Sequence, residues 1–249
     1  MTAAEPVITA SDVDYQLRVA NGTLHQMPSG DSQFNGIVTS DELIAVYTGR
    51  MVPKNSPGRS IYNKIMSSAP NGRCPLCSVG NVTTLDHVLP KSHYPALAVV
   101  PINLVPACRD CNNAKKTQVP SLPNDIFLHP YYDNVEGEKW LVASVLNPLA
   151  IVFSVQCPAI WPQVLRDRVK HHFDELGLAE TFGSNAADQL IVLKDRLEPL
   201  LQVGGVGEVE NYLLGEAAAF RSAHLNSWQT AMYESLAADP WYLGGGFRI

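Results

Sequence analysis

Two Cys-x-x-Cys pairs, Cys74 with Cys77 and Cys108 with Cys111, are the residues of this chain whose type and spacing most clearly announce chemistry. Four thiolates brought to one point meet the demand of a closed, tetrahedral structural zinc site. Thiol–disulfide exchange would instead call for a single pair opening a helix within a βαβ pattern, and neither pair stands in one. The 249 residues hold five cysteines in all, and residues 1–38 show no succession of basic, apolar and small residues of the kind an export signal needs. Disulfides are therefore not expected, and a cytoplasmic setting is. The 30 residues between Cys77 and Cys108 exceed the usual zinc-ribbon spacing, so an insertion must be looped out between the two knuckles.

That insertion carries Asp86, His87 and Asn103, and Asn112 directly follows Cys111. A carboxylate and an amide oxygen can hold a hard divalent cation, while a neutral imidazole can take a proton from water, a combination suited to phosphodiester hydrolysis. Residues 83–88 read as a β-rich run ended by Pro90, residues 103–106 as a second extended piece, and 109–116 as a helix. A hairpin followed by a helix would bring Asp86 and His87 opposite Asn112. A lone histidine is more often a hydrogen-bonded core residue, but His87 has polar company. His93, before Tyr94-Pro95 in an expected turn, is assigned to surface or packing rather than to a metal.

At these residues the chain resembles the HNH endonuclease family in its ββα-metal form. The resemblance rests on Asp86-His87-Val88-Leu89-Pro90, on Asn103-Leu104-Val105-Pro106, and on Cys108-Arg109-Asp110-Cys111-Asn112-Asn113-Ala114-Lys115. It implies His87 as the general base, lining a surface cleft, and Asn103 as the residue that holds the loop between the strands. Asn112 stands where the family's third signature histidine would be. Asp86 and Asn112 would then bind the catalytic ion, and an all-oxygen pair favours Mg2+ or Mn2+ there over zinc. Weaker likeness extends to Ser56-Pro57-Gly58-Arg59, Lys91-Ser92-His93-Tyr94-Pro95 and His129-Pro130-Tyr131-Tyr132-Asp133, similar to a bacterial subgroup often found near phage-defence genes.

The formal net charge of −6 is unevenly spread. Residues 1–72 carry −1, residues 73–116 carry +3, and residues 117–249 carry −8. Lys91, Arg109, Lys115 and Lys116, with Arg73 beside them, are the expected phosphate contacts. The patch is small and the acidic remainder repels a duplex at longer range, so non-specific DNA affinity should be weak.

The positioning elements follow from local patterns. Thr39 or Ser40 caps a helix whose first turn holds Asp41 and Glu42, ending near Gly49. Pro57 opens a second along Ile61, Tyr62, Ile65 and Met66, closed by Pro70-Asn71-Gly72, with Arg59 read as either solvated or facing DNA. Residues 140–165 carry no charge, yet Asn147-Pro148, Pro158 and Pro162 argue against a membrane span. Alternation there predicts a hairpin of residues 141–146 and 151–157, with Cys157 as a simple buried thiol. Helices are expected from Pro162, with His171-His172 not a metal site, and over 185–201, 208–225 and 227–237. The apolar tail 241–247 docks either on the core or on a partner.

The expected fold is α+β: an N-terminal helical extension over 1–72, a zinc-clamped ββα-metal core over 73–120, and a mostly helical region over 121–249 with a hairpin near 140–157. The expected function is metal-dependent HNH-type hydrolysis of DNA phosphodiester bonds, with structural Zn2+ and catalytic Mg2+ or Mn2+, as the effector of a phage-defence system. A partner protein would dock on the C-terminal region, with no membrane involved. The alternative is a zinc-stabilised nucleic-acid or protein-binding module whose nuclease site is idle.

Overall fold

Short polar caps and proline set most of the helix starts. The Thr39 hydroxyl accepts from the Glu42 N–H while the Glu42 carboxylate accepts from the Thr39 N–H, a reciprocal capping box worth about 1 kcal/mol. In the computed structural model, which describes residues 4–30 and 38–248, two units are resolved, Met1–Asp133 and Asn134–Ile249. The chain is α+β.

The first unit contains α1 (Glu5–Ala20), α2 (Ser40–Arg50), α3 (Arg59–Met66), β1 (Thr84–His87), β2 (Leu104–Ala107) and α4 (Arg109–Lys115). Strands β1 and β2 pair antiparallel, with Asp86 opposite Val105 and His87 opposite Leu104. Helices α2 and α3 close one side of this ribbon, burying Tyr47, Met51 and Tyr62 against Leu85, Ala98 and Leu104. Two strands alone are marginal in water, so this helix packing is what makes the ribbon stable. Helix α1 was not expected from its polar sequence. It forms because Tyr15 inserts among Leu24, Met27 and, from the long connection between β1 and β2, Leu89, Tyr94 and Leu97.

The second unit holds the hairpin of β3 (Leu141–Leu146) and β4 (Ala150–Val155), then α5 (Gln163–Glu175), α6 (Leu178–Ala223), α7 (Trp228–Ala238) and α8 (Pro240–Leu243). The hairpin turns at Asn147-Pro148, as the sequence predicts, through a cis peptide. Helix α6 is in effect two helices. Gly205 takes φ 71° and ψ −164°, a conformation reserved for glycine, and the chain folds back there. Arg196 reaches the Tyr212 hydroxyl at 3.1 Å across the turn, where a straight helix would separate them by about 24 Å. The apolar tail docks within its own unit: Tyr242 and Phe247 are buried edge to face, and Arg248 pairs with Glu198 at 2.7 Å. None of the described helices is long and apolar enough to cross a membrane.

Candidate metal centre and active site

The four cysteines of the two pairs converge. Their sulfurs all lie within 4.8 Å of one another, and Cys77 Sγ is 3.9 Å from Cys108 Sγ. A tetrahedral ion with Zn–S bonds near 2.3 Å sets sulfur separations of about 3.8 Å, so the cluster fits zinc. Each knuckle is built by backbone. The Gly80 N–H donates to Cys77 Sγ at 3.3 Å and the Cys111 N–H to Cys108 Sγ at 3.4 Å, contacts that favour thiolates. Ser78 takes a left-handed φ of 59° to close the first turn. A Cβ on Gly80 would stand 2.8 Å from Cys108 Sγ, so no side chain fits where the knuckles meet. The donor set is all cysteine sulfur and buried, which describes a structural site rather than a catalytic one.

The cysteines thus clamp the turn that precedes β1 to the start of α4. At the other end of β1, Asp86 and His87 leave the strand toward different neighbours, as the pleat requires. Asp86 meets Lys115 of α4, and His87 meets Tyr47 of α2 edge to face with ring centroids 4.6 Å apart. His87 Nε2 lies 3.0 Å from the Ala98 carbonyl oxygen, which can only accept, so Nε2 carries the proton and Nδ1 keeps its lone pair. Burial lowers the His87 pKa to about 3; the Ala98 carbonyl opposes the shift, and Lys91 and Lys115 add to it. The imidazole is therefore neutral at neutral pH. At 7% exposure it is not in an open cleft, contrary to expectation, because Tyr47 and the loop carrying Ala98 enclose it.

Asn103 is fully buried and ties the connection between the strands. Its Oδ1 accepts from the Leu89 N–H at 2.8 Å, and its Nδ2 donates to the carbonyls of Leu89 at 3.0 Å and Leu97 at 3.2 Å. Residues on both sides of Asn103 are pinned by a downstream stretch. His129 Nε2 donates to the Ile102 carbonyl at 3.1 Å and lies 3.0 Å from the Tyr15 hydroxyl, while the Tyr131 hydroxyl donates to the Leu104 carbonyl at 2.8 Å. The family resemblance assigns residues 129–133 no role. Their contacts make them a buttress for Asn103.

Lys115 departs most from expectation. The sequence places it with the phosphate-contacting cations, but its side chain is buried, with Nζ 2.9 Å from Asp86 Oδ2, 2.8 Å from the His87 carbonyl and 3.2 Å from the Val88 carbonyl. Burial pushes the Asp86 carboxyl up, and the Lys115 ammonium pulls it back. Asn112, half-buried on α4, precedes Lys115 by three residues and so shares its helix face. Among the other expected phosphate contacts, Arg109 and Lys116 are exposed. Lys91 is half-buried, its ammonium 5.7 Å from the Tyr47 ring centroid. His93 is exposed in a turn, and Arg59 is occupied by Asn63 Oδ1 at 2.9 Å and by the face of Tyr62. Two site neighbours went unnoticed in the sequence, Tyr47 as a cover for His87 and Lys115 as the partner of Asp86.

Residues 74–118 match the HNH family, described as HNH endonuclease. The chain is also similar to protein ea31 of Escherichia phage lambda, 38% identical over 161 residues, which are 62% of this chain and 54% of the relative. The chain thus spans about half the length of that relative. No solved structure matches it.

Proposed function

We propose that the protein hydrolyses DNA phosphodiester bonds as a metal-dependent endonuclease. The observation that supports this best is the pairing, at the end of one strand, of a buried carboxylate on Asp86 with a neutral imidazole on His87 whose Nδ1 is left to accept a proton. A scissile phosphate at the end of β1 could be reached from both. His87 takes a proton from the attacking water at Nδ1, with the Ala98 carbonyl holding its tautomer. Asn103 keeps the loop carrying Ala98 in place by binding Leu89 and Leu97. Asp86 and Asn112 are the residues that would hold Mg2+ or Mn2+, which when bound neutralises charge developing on the leaving oxygen. Oxygen donors suit that ion, while the thiolate cluster suits zinc, so one fold keeps the two metals apart. The products on this reading are 5′-phosphate and 3′-hydroxyl ends. Exposed Arg109 and Lys116, with Lys91, supply the phosphate contacts. Action against phage DNA, with a partner on the C-terminal unit, is the setting this reading extends to.

The buried Asp86–Lys115 ion pair favours a second reading, a zinc-stabilised binding module with an idle site, because it already neutralises the carboxylate. One experiment separates the two. Zinc-loaded protein is incubated with supercoiled plasmid and with single-stranded DNA, in millimolar Mg2+ or Mn2+ and after brief EDTA treatment. Cleavage that EDTA stops, that fresh metal restores, and that His87→Gln lowers roughly 10²-fold or more is expected. DNA binding without cleavage under every condition would leave the module reading in its place.

A further inference from the structure

We infer that Lys115 is a positioning residue, setting the carboxylate of Asp86 and the distance between the two halves of the cation site. This inference rests on the nuclease reading above and names the residue that makes its metal seat usable.

The side chain is placed as a three-way tie. Its ammonium touches Asp86 Oδ2 at 2.9 Å and the carbonyl oxygens of His87 and Val88 at 2.8 and 3.2 Å, so its donors converge on three consecutive residues at the end of β1. The Phe127 ring lies 5.4 Å from Nζ, and the lysine side chain is only 6% exposed. Breaking a buried ion pair by removing one partner is far costlier than losing a surface one, so the tie is not a casual surface contact. It joins α4, which carries Asn112 one turn earlier, to the strand that carries Asp86 and His87. The cysteine cluster fixes the start of α4, since Cys108 caps that helix and Cys111 lies in its first turn. Lys115 is the helix's last residue, so α4 is anchored at both ends, with Asn112 between the anchors. Two further consequences follow. The carboxylate keeps one orientation, because its Oδ2 is paired with the ammonium at 2.9 Å. The hold on the carbonyls of His87 and Val88 fixes the backbone from which the imidazole projects.

The test is Mn2+ binding by the zinc-loaded protein, followed by calorimetry and by loss of the free-ion electron paramagnetic resonance signal, neither of which requires cleavage. Lys115→Met should keep the zinc and bind Mn2+ at least tenfold more weakly than the parent. Lys115→Arg keeps the charge, but its planar fork cannot converge on one carboxylate and two carbonyls, so it should bind three- to tenfold more weakly. If Lys115→Met does not fold, the arginine variant decides alone. Mn2+ affinity within twofold of the parent, or tighter, in the folded variants overturns the inference, and tighter binding would make Lys115 a competitor of the cation. Asp86→Ala is the separating arm. When it binds tenfold more weakly than the parent while the Lys115 variants do not, the cation site stands and only the role of Lys115 falls. If Asp86→Ala and the parent bind alike, the cation site itself is misplaced, and both readings fall.

Discussion

Asn103 grips Leu89 at both its backbone groups, accepting from the N–H at 2.8 Å and donating to the carbonyl at 3.0 Å. Leu89 lies two residues after His87, so the grip fixes the path by which the chain leaves β1. Asn103 is 0% exposed, and no solvent can replace a lost partner there. Asn103→Ala strands an N–H and two carbonyls, and an unsatisfied buried group costs about 1–3 kcal/mol. Urea unfolding should show a loss of at least about 3 kcal/mol. An alanine variant as stable as the parent would mean the grip does not hold the loop.

Cys108 serves twice, as a thiolate of the cluster and as the cap of α4 through the Cys111 N–H. Metal binding free energy is folding free energy in such a site. Purified protein should contain about one zinc per chain. Cys108→Ser should lower zinc content and broaden the unfolding transition of the first unit. Soluble, folded parent protein without zinc by elemental analysis would mean that no metal clamps the two knuckles.

The Tyr47 ring meets His87 edge to face, and such aromatic contacts contribute about 0.5–1.5 kcal/mol beyond area burial. Tyr47→Leu removes the edge and leaves space above the imidazole, so it should destabilise the first unit by about 1–3 kcal/mol. On the nuclease reading it should also slow cleavage, by freeing the imidazole. An unchanged unfolding midpoint would show that the ring is not a supporting wall.

The cysteine spacing and the Asp86-His87 and Asn103 stretches were legible because each is a local pattern with a fixed chemical demand. The helix start at Thr39 or Ser40, and the division of residues 185–225 into two helices, were legible for the same reason. Burial of Lys115 was not, since lysine is almost never buried unless paired. One signal was present: Cys111 and Lys115 are four residues apart, so a helix with Cys111 facing inward carries Lys115 inward too. Tyr47 could not be placed over His87 from sequence because the two are forty residues apart and nothing local links them. Helix α1 escaped because its buried face includes a serine, Ser11, beside Tyr15, and so shows no apolar stripe.

The pH dependence of folding should carry the mark of His87. Its pKa is about 3 in the folded chain, lowered mainly by burial, and near 6.5 when the chain unfolds. Between those values the unfolded chain takes up a proton that the folded chain refuses, so this group's contribution is present above pH 6.5 and is lost as pH falls toward 3. The loss approaches about 2 kcal/mol at pH 5. Asp86 acts with the opposite sign, because burial raises its carboxyl pKa and the folded chain protonates first. Protonation of the cysteine cluster adds a further acid loss. Both of those remain in His87→Gln, so the difference between parent and variant isolates the imidazole. Denaturant unfolding at pH 7.5 and pH 5 should show the parent losing more stability than His87→Gln, by up to that amount. Equal losses in the two proteins would mean that His87 is solvated enough to take its proton in the folded state, and the buried, neutral imidazole of this structure would then be wrong.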